Sequence, residues 1–189
     1  AGERRYLRTS GRVSSEEEFP DENERPLVFR RQRIERRAGR GWQVLDEERL
    51  AVPFGIEDRR EFVAVDADAL GEGLVVMPRE SLGSVSELPD DLRARLATGV
   101  DAATSIRLRL DQVSAVEHAT VVGMPRNGPD GPMLTAGLGR PLILSTLDSS
   151  AAMRLLAGDS RRLVILATVA LIAGLGALAL ALVAVLAGW

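Results

Sequence analysis

LVFRRQRIERRAGRGWQVLDEERLAVPFGI, residues 27–56, decides the fold class. Its first half sets β-branched and aromatic residues among long arginines, a composition that suits a pleated, half-buried surface. Its second half spaces Trp42, Val44, Leu50, Val52 and Phe54 evenly, the period-two signature of a strand with one buried face. RAGRG between the halves carries the glycines of a hairpin turn. Two long strands joined by a tight turn predict a β-rich domain.

The same rhythm extends outward. Upstream, SSEEEFPDENERP (14–26) is acidic and broken by Pro20 and Pro26, so it reads as an exposed loop. Downstream, EFVAVDA and GLVVMP continue as short strands. PDDLRARLATGV interrupts them: Pro89 and two aspartates lead into Leu92 and Leu96, which predicts one short helix with an acidic first turn. Alternation returns in IRLRLDQV, HATVVGMP, PMLTAG and PLILST, with RNGPDG as a turn. From Asp148, DSSAAMRLLAGDSRR reads as a short amphipathic helix that runs directly into an apolar stretch. The expected organisation is a mainly β (α+β) domain over 1–147, a membrane-proximal helix over 148–160 and a transmembrane helix over 161–189.

The apolar stretch from Leu163 to Ala187 holds no charge, and Thr168 is its only polar side chain. At ~1.5 Å per residue such a helix exceeds the ~30 Å hydrocarbon core of a bilayer. Arg154, Arg161 and Arg162 precede it and no charged side chain follows before Trp189. The positive-inside rule then places the β domain in the cytoplasm and Trp189 at the far face. Ala173, Ala177 and Ala181, with Gly174 four residues after Ala170, give small-xxx-small spacing that allows a helix-mediated dimer; a generic alanine-rich span has the same appearance. Arg4, Arg5 and Arg8 are compatible with a second span upstream of Ala1. The expected partners are therefore the lipid bilayer and a protein not identifiable from sequence.

Composition narrows the chemistry. The net charge is −3 and aromatics are 4%, so neither a basic footprint nor a stacking platform for nucleic acid is present. All 24 basic residues are arginine, which removes Schiff-base and P-loop lysine chemistry. With no cysteine, thiolate nucleophiles and cysteine-ligated zinc are excluded within this chain.

No constellation of side chains carries a reaction, and no cofactor or metal is expected. His118 is the only histidine and no serine stands in a G-x-S-x-G elbow, so it reads as a strand-edge residue. Asp66 and Asp68, two apart, would share a strand face and could hold a cation, but they lack further ligands and read as solvated turn carboxylates. GLGR (137–140) leads into a strand and not a helix, so it is a turn and not a phosphate cradle. The arginines of RRQRIERR could attract acidic headgroups near a membrane, but Arg36 and Arg37 are rather expected to pair with Glu47 and Glu48 across the hairpin.

Two segments, Arg25–Leu70 and Val121–Leu166, resemble in order and spacing the membrane-anchored GIDE or MULAN type of E3 ubiquitin ligase, in its beside-a-membrane (BAM, or GIDE) domain. The matching features are Trp42 after a basic turn, Pro53 and Phe54, Asp66 in VAVDADAL, Gly123 in VVG and Ser145 in LILST, then an amphipathic helix and a span. In that family a span precedes the domain and a zinc-binding RING, which recruits the charged ubiquitin-conjugating enzyme, follows the second span. The eukaryotic members keep the domain away from the cytosol, opposite to the orientation the arginines predict here. A RING needs cysteine, and this chain has none. The resemblance therefore implies a RING-less member, of a kind plausible in prokaryotes, acting as a non-catalytic binding or scaffold module at the membrane. The alternative is a component of a RING-type ubiquitin-protein ligase whose RING is missing from this chain or supplied by a partner.

Overall fold

Strands make up most of what the computed structural model describes, residues 5–147 other than 40, 60, 97, 98 and 130. Strand β1 (Leu7–Ser14) and a two-residue β2 (Phe19–Pro20) precede the long hairpin of β3 (Pro26–Ala38) and β4 (Gly41–Ala51). A second hairpin joins β5 (Phe54–Asp58) and β6 (Glu61–Val65). A 3-10 turn at Ala67–Ala69, β7 (Leu74–Val75), β8 (Arg79–Ser84) and another 3-10 turn at Val85–Glu87 lead to one short helix, α1 (Asp90–Ala94). Strands β9 (Ser105–Ser114), β10 (His118–Gly128), β11 (Gly131–Thr135) and β12 (Ile143–Ser145) follow. Among the described residues the chain is thus mainly β with one short α-helix, as expected. Among the described residues no helix is long and apolar enough to cross a membrane. The expected helix over 148–160 and span over 161–189, with Arg161, Arg162, Leu163, Ala173, Gly174, Ala177, Ala181 and Trp189, lie outside the described residues.

The strands form two sheets. In the first, β1 pairs with both β5 and β10, and the order β1-β5-β6-β11-β10 closes on itself as a five-stranded barrel. Within that ring only β6 and β11 run parallel. A closed ring of strands leaves no open edge. Close packing explains Gly11: a Cβ there would overlap the Glu57 carbonyl on β5. The second sheet runs β2-β3-β9-β8, with β4 also paired to β3.

Each sheet has its own core. Val13, Phe54, Ile56, Val65, Val121, Leu134 and Leu144 fill the barrel together with Val28 and Phe29 from the start of β3. Farther along β3, Ile34 packs with Ile106, Val85 and Leu88, and Leu92 and Leu96 of the α1 region lie against that cluster. Strand β3 therefore belongs to both cores.

A β-bulge overturns the expected single buried face of β4. Ile34 pairs with Asp46 but Glu35 pairs with Val44, leaving Leu45 as the extra residue. An inserted residue reverses the alternation beyond it. Leu45 and Asp46 both turn toward α1, where Leu45 joins the second core and Asp46 meets Arg95. Trp42 and Val44 therefore lie on the opposite face from Leu50, and Val44 and Leu50 remain 45% and 42% exposed. Val52 and Phe54 belong to the barrel core instead.

The turn between β2 and β3 is held by one carboxylate. Asp21 Oδ1 accepts the N–H groups of Asn23 and Arg25 at 2.8 and 2.9 Å, and Oδ2 accepts Arg25 Nε at 2.8 Å. The Arg25 backbone bond, opposed by desolvation and reinforced by the Arg25 side chain and Asn23, lowers the Asp21 pKa from 3.8 to about 2. A depressed carboxylate stabilises the fold above its unfolded pKa, and that contribution is lost as pH falls through the folded one. Asp21→Asn is therefore expected to flatten the acid limb of a stability–pH curve between about pH 4 and 2. Thermal midpoints measured across that range check it; parallel curves for the two proteins would refute it.

Candidate functional site

One face of the second sheet carries a ladder of guanidinium and carboxylate groups, because period-two alternation sends every second residue of each strand to the same side. The central row is Glu47 on β4, Arg33 on β3, Arg109 on β9 and Glu80 on β8. The next row toward the barrel aligns Arg49, Arg31 and Asp111. The row on the other side aligns Val44, Glu35, Arg107 and Leu82, and beyond it Arg37 faces Trp42.

Asp111, 1% exposed, is the hub. Its Oδ2 accepts Arg31 Nε and Nη2 at 3.1 and 2.9 Å and Arg33 Nη2 at 3.2 Å, while Oδ1 accepts Arg109 Nε at 3.1 Å. Arg31, buried with it, donates a further bond to the Gly71 carbonyl at 2.9 Å, and Arg49 donates to the Leu70 carbonyl at 3.1 Å. The loop after β6 thus closes the barrel end of the ladder. Glu35, also buried, accepts Arg107 Nε at 2.7 Å, and Glu80 lies 3.3 Å from Arg107 Nη1 and 3.6 Å from Arg109 Nη1. The Arg107 guanidinium covers the Trp42 ring at 4.6 Å and Arg37 approaches it at 5.7 Å, both within cation–π range.

Charges this far from water persist only when paired and hydrogen-bonded. Asp111 and Arg31 meet that condition fully. Arg33 does not: among the described residues its buried Nε has no hydrogen-bond partner, and the nearest Glu35 oxygen is 3.8 Å away. Arg33 and Arg109, like charges directly opposite each other, share Asp111 as their hydrogen-bond acceptor. Among the described residues the central row therefore leaves one buried donor, Arg33 Nε, without an acceptor.

The expected cross-hairpin pairing of Arg36 and Arg37 with Glu47 and Glu48 is not what forms. Arg36 stands opposite Gln43 and bonds to its Oε1 at 2.9 Å, Arg37 stands opposite Trp42, and Arg33 is the residue facing Glu47. Glu48 and Asp46 pair with Arg95, whose pKa is held above its ordinary value by those two carboxylates despite the opposing effect of partial burial. RRQRIERR is split between the two faces of the sheet, and its Arg31 and Arg33 bind Asp111 instead of lying open to headgroups.

Asp66 and Asp68 lie at a turn and do not share a strand face. Asp66 follows β6 and accepts the Thr135 hydroxyl at 2.5 Å, while Asp68 lies within the 3-10 turn. Among the described residues no group of three or more potential ligands is placed to hold a metal ion. His118 opens β10 and is exposed. GLGR is a turn: Leu138 and Gly139 have φ of 49° and 71°, and Tyr6 clamps it. The Tyr6 hydroxyl lies 2.8 and 2.6 Å from the Gly137 and Arg140 carbonyls, donating to one of them, and accepts the Gly137 N–H at 3.1 Å.

The remaining motif residues fall in four places. Phe54 is buried in the barrel, next to Pro53, whose carbonyl accepts the Ser15 hydroxyl at 2.6 Å. Gly123 packs closely, since a Cβ there would come within 3.0 Å of the Thr135 carbonyl and 2.6 Å of Leu142. Ser145 accepts the Leu147 N–H at 3.2 Å, and Trp42 alone of the set sits on the ladder. Asp111 and Glu35, the centres of the ladder, were not singled out from sequence. The available signal was the charge alternation itself, Arg31, Arg33, Glu35 on one strand and Arg107, Arg109, Asp111 on the other. Comparison of the chain with protein-family models, curated proteins and solved structures returned no match.

Proposed function

We propose that this chain is a membrane-anchored binding or scaffold module. Its β domain presents a recognition face, and the apolar stretch from Leu163 to Ala187 holds that domain at a bilayer. The resemblance to the BAM/GIDE domain supports the reading, and the observation that carries it is the ladder. The rim of that face, where exposed Val44 and Leu82 stand near Trp42 and the partly exposed Arg107 and Arg109, has the composition of an interaction surface rather than of a reaction cleft. Catalysis of ubiquitin transfer by a RING has no zinc ligands to draw on in this cysteine-free chain.

Leu175 lies midway along the apolar stretch. An arginine there costs about 2.5–3.5 kcal/mol on a membrane-insertion scale. The full chain is expected to remain with vesicles through alkaline carbonate washing, and Leu175→Arg to reduce the retained fraction sharply. Release of the unaltered chain by the wash would end the anchored reading.

A further inference from the structure

We infer that the domain rests on the bilayer by one end, where the side chains of Met77 and Val116 enter the headgroup region of zwitterionic lipid. The inference rests on the anchored reading and deepens it by naming the surface that lies against lipid. The described domain ends at Leu147 and the apolar stretch begins at Leu163. The connection between them spans ~55 Å if fully extended, and ~24 Å if helical as its sequence predicts. The end of the domain that carries Leu147 is therefore the end tethered nearest to lipid.

That end exposes apolar side chains on firmly held backbone. Thr146 donates its N–H to the Val75 carbonyl at 3.3 Å and lines a shallow hollow with Met77, Arg25, Arg79, Ser114 and Glu117. Val116 stands in the turn between Ser114 and Glu117. Met77 is 67% and Val116 60% exposed, whereas their chain neighbours Val76 and Ala115 are each 5% exposed and belong to the barrel core. Single exposed apolar residues are ordinary, but two beside the exit of a chain bound for a membrane have lipid within reach to cover them. Arg25 and Arg79, with side chains 43% and 49% exposed, share the hollow and can lay their stems along it while their heads stay with phosphate or water. Both guanidinium groups lie close to Asp21, at 2.7 and 3.9 Å, and exposed Glu22 and Glu24 follow in the same turn. This end thus carries no cationic surplus, and the contact it supports is apolar insertion into zwitterionic lipid rather than attraction to anionic lipid.

The chain has no cysteine, so a single introduced thiol takes a single environment-sensitive fluorophore. Met77→Cys, Val116→Cys and, as a distant control, Leu7→Cys are each labelled with nitrobenzoxadiazole in the full chain and reconstituted in phosphatidylcholine vesicles. Leu7 is 51% exposed and stands about 20 Å along β1 from Val13, whose N–H bonds to the Glu117 carbonyl beside Val116. All three positions are exposed, and circular dichroism matching the unaltered chain shows that each labelled protein is folded. Interfacial side chains sit ~5–10 Å into the headgroup boundary, so a lipid nitroxide at that depth is expected to remove about half of the emission at positions 77 and 116 and almost none at position 7. Equal quenching at all three positions, or none at 77 and 116, overturns the proposal. So does an emission blue shift there that lipid nitroxide does not quench, which would mean that a second copy of the chain covers the patch. Quenching that appears only after phosphatidylserine is added overturns it as well, because the attraction would then be electrostatic. The two readings fail separately: release by carbonate ends the anchor, whereas unquenched labels on a chain that resists carbonate end this contact alone.

Discussion

Asp111→Ala is expected to destabilise the fold by about 3–5 kcal/mol, the usual cost of removing one partner from a buried ion pair. The cause is what remains. Arg31, with a side chain 4% exposed, loses the acceptor of two of its hydrogen bonds and cannot reach water to replace it. Arg33 and Arg109 each lose the one side-chain hydrogen bond they make among the described residues. For a domain of this size the change corresponds to a midpoint lower by roughly 10 °C. Asp111→Asn, which keeps an acceptor of the same shape, is expected to cost markedly less. The pair replacement Arg31→Met with Asp111→Leu is expected to recover much of the loss, because well-packed apolar residues carry no charge to desolvate. Guanidinium denaturation of the full chain in detergent, followed by circular dichroism, measures all three. A cost below about 1 kcal/mol for Asp111→Ala would mean that solvent reaches the ladder and that its charges are not held by one another.

Phe29→Ala is expected to cost about 3–5 kcal/mol as well, by cavity formation. Phe29 is 1% exposed and sits in the barrel core, five residues before Ile34 in the second core on the same strand. A continuous strand hydrogen-bonded on both sides couples the two cores. Unfolding of both Phe29→Ala and Ile34→Ala is therefore expected to remain a single transition. Trp42 fluorescence, in a Trp189→Phe background, reports on the ladder sheet, and far-UV circular dichroism reports on all the strands. Coincident curves are the expected result. Separate transitions would show that the barrel and the ladder sheet fold independently.

Much of the fold is legible locally. The RAGRG hairpin, the RNGPDG turn, the short helix after Pro89 and the strand rhythm of IRLRLDQV and HATVVGMP each depend on neighbours a few residues apart. What the strands do with their faces is less so. Charges on alternate positions of a strand normally face water, so Arg107, Arg109 and Asp111 read as the solvent side and Leu108 and Leu110 as the core side. Here Leu108 and Leu110 are half-buried while Asp111 is fully enclosed. The partners that make this tolerable, Arg31 and Arg33, lie 80 and 78 residues away. No local pattern encodes such a pairing. The bulge at Leu45 is equally silent: one extra residue moved Val44 and Leu50 to opposite faces and put Arg33, in place of Gln32, opposite Glu47.

Alternation, turn glycines and an uncharged apolar run by themselves determined a β-rich chain with one short helix, cysteine-free chemistry and an expected anchor beyond residue 160. Those features arise from steric preference and solvent transfer of individual residues, and they need no knowledge of distant contacts. Closure of β1 against β10, the division into two cores along β3 and the assembly of the ladder around Asp111 were decided only by tertiary structure. Each depends on register between strands far apart in the chain, where a shift of one residue would turn every side chain to the other face.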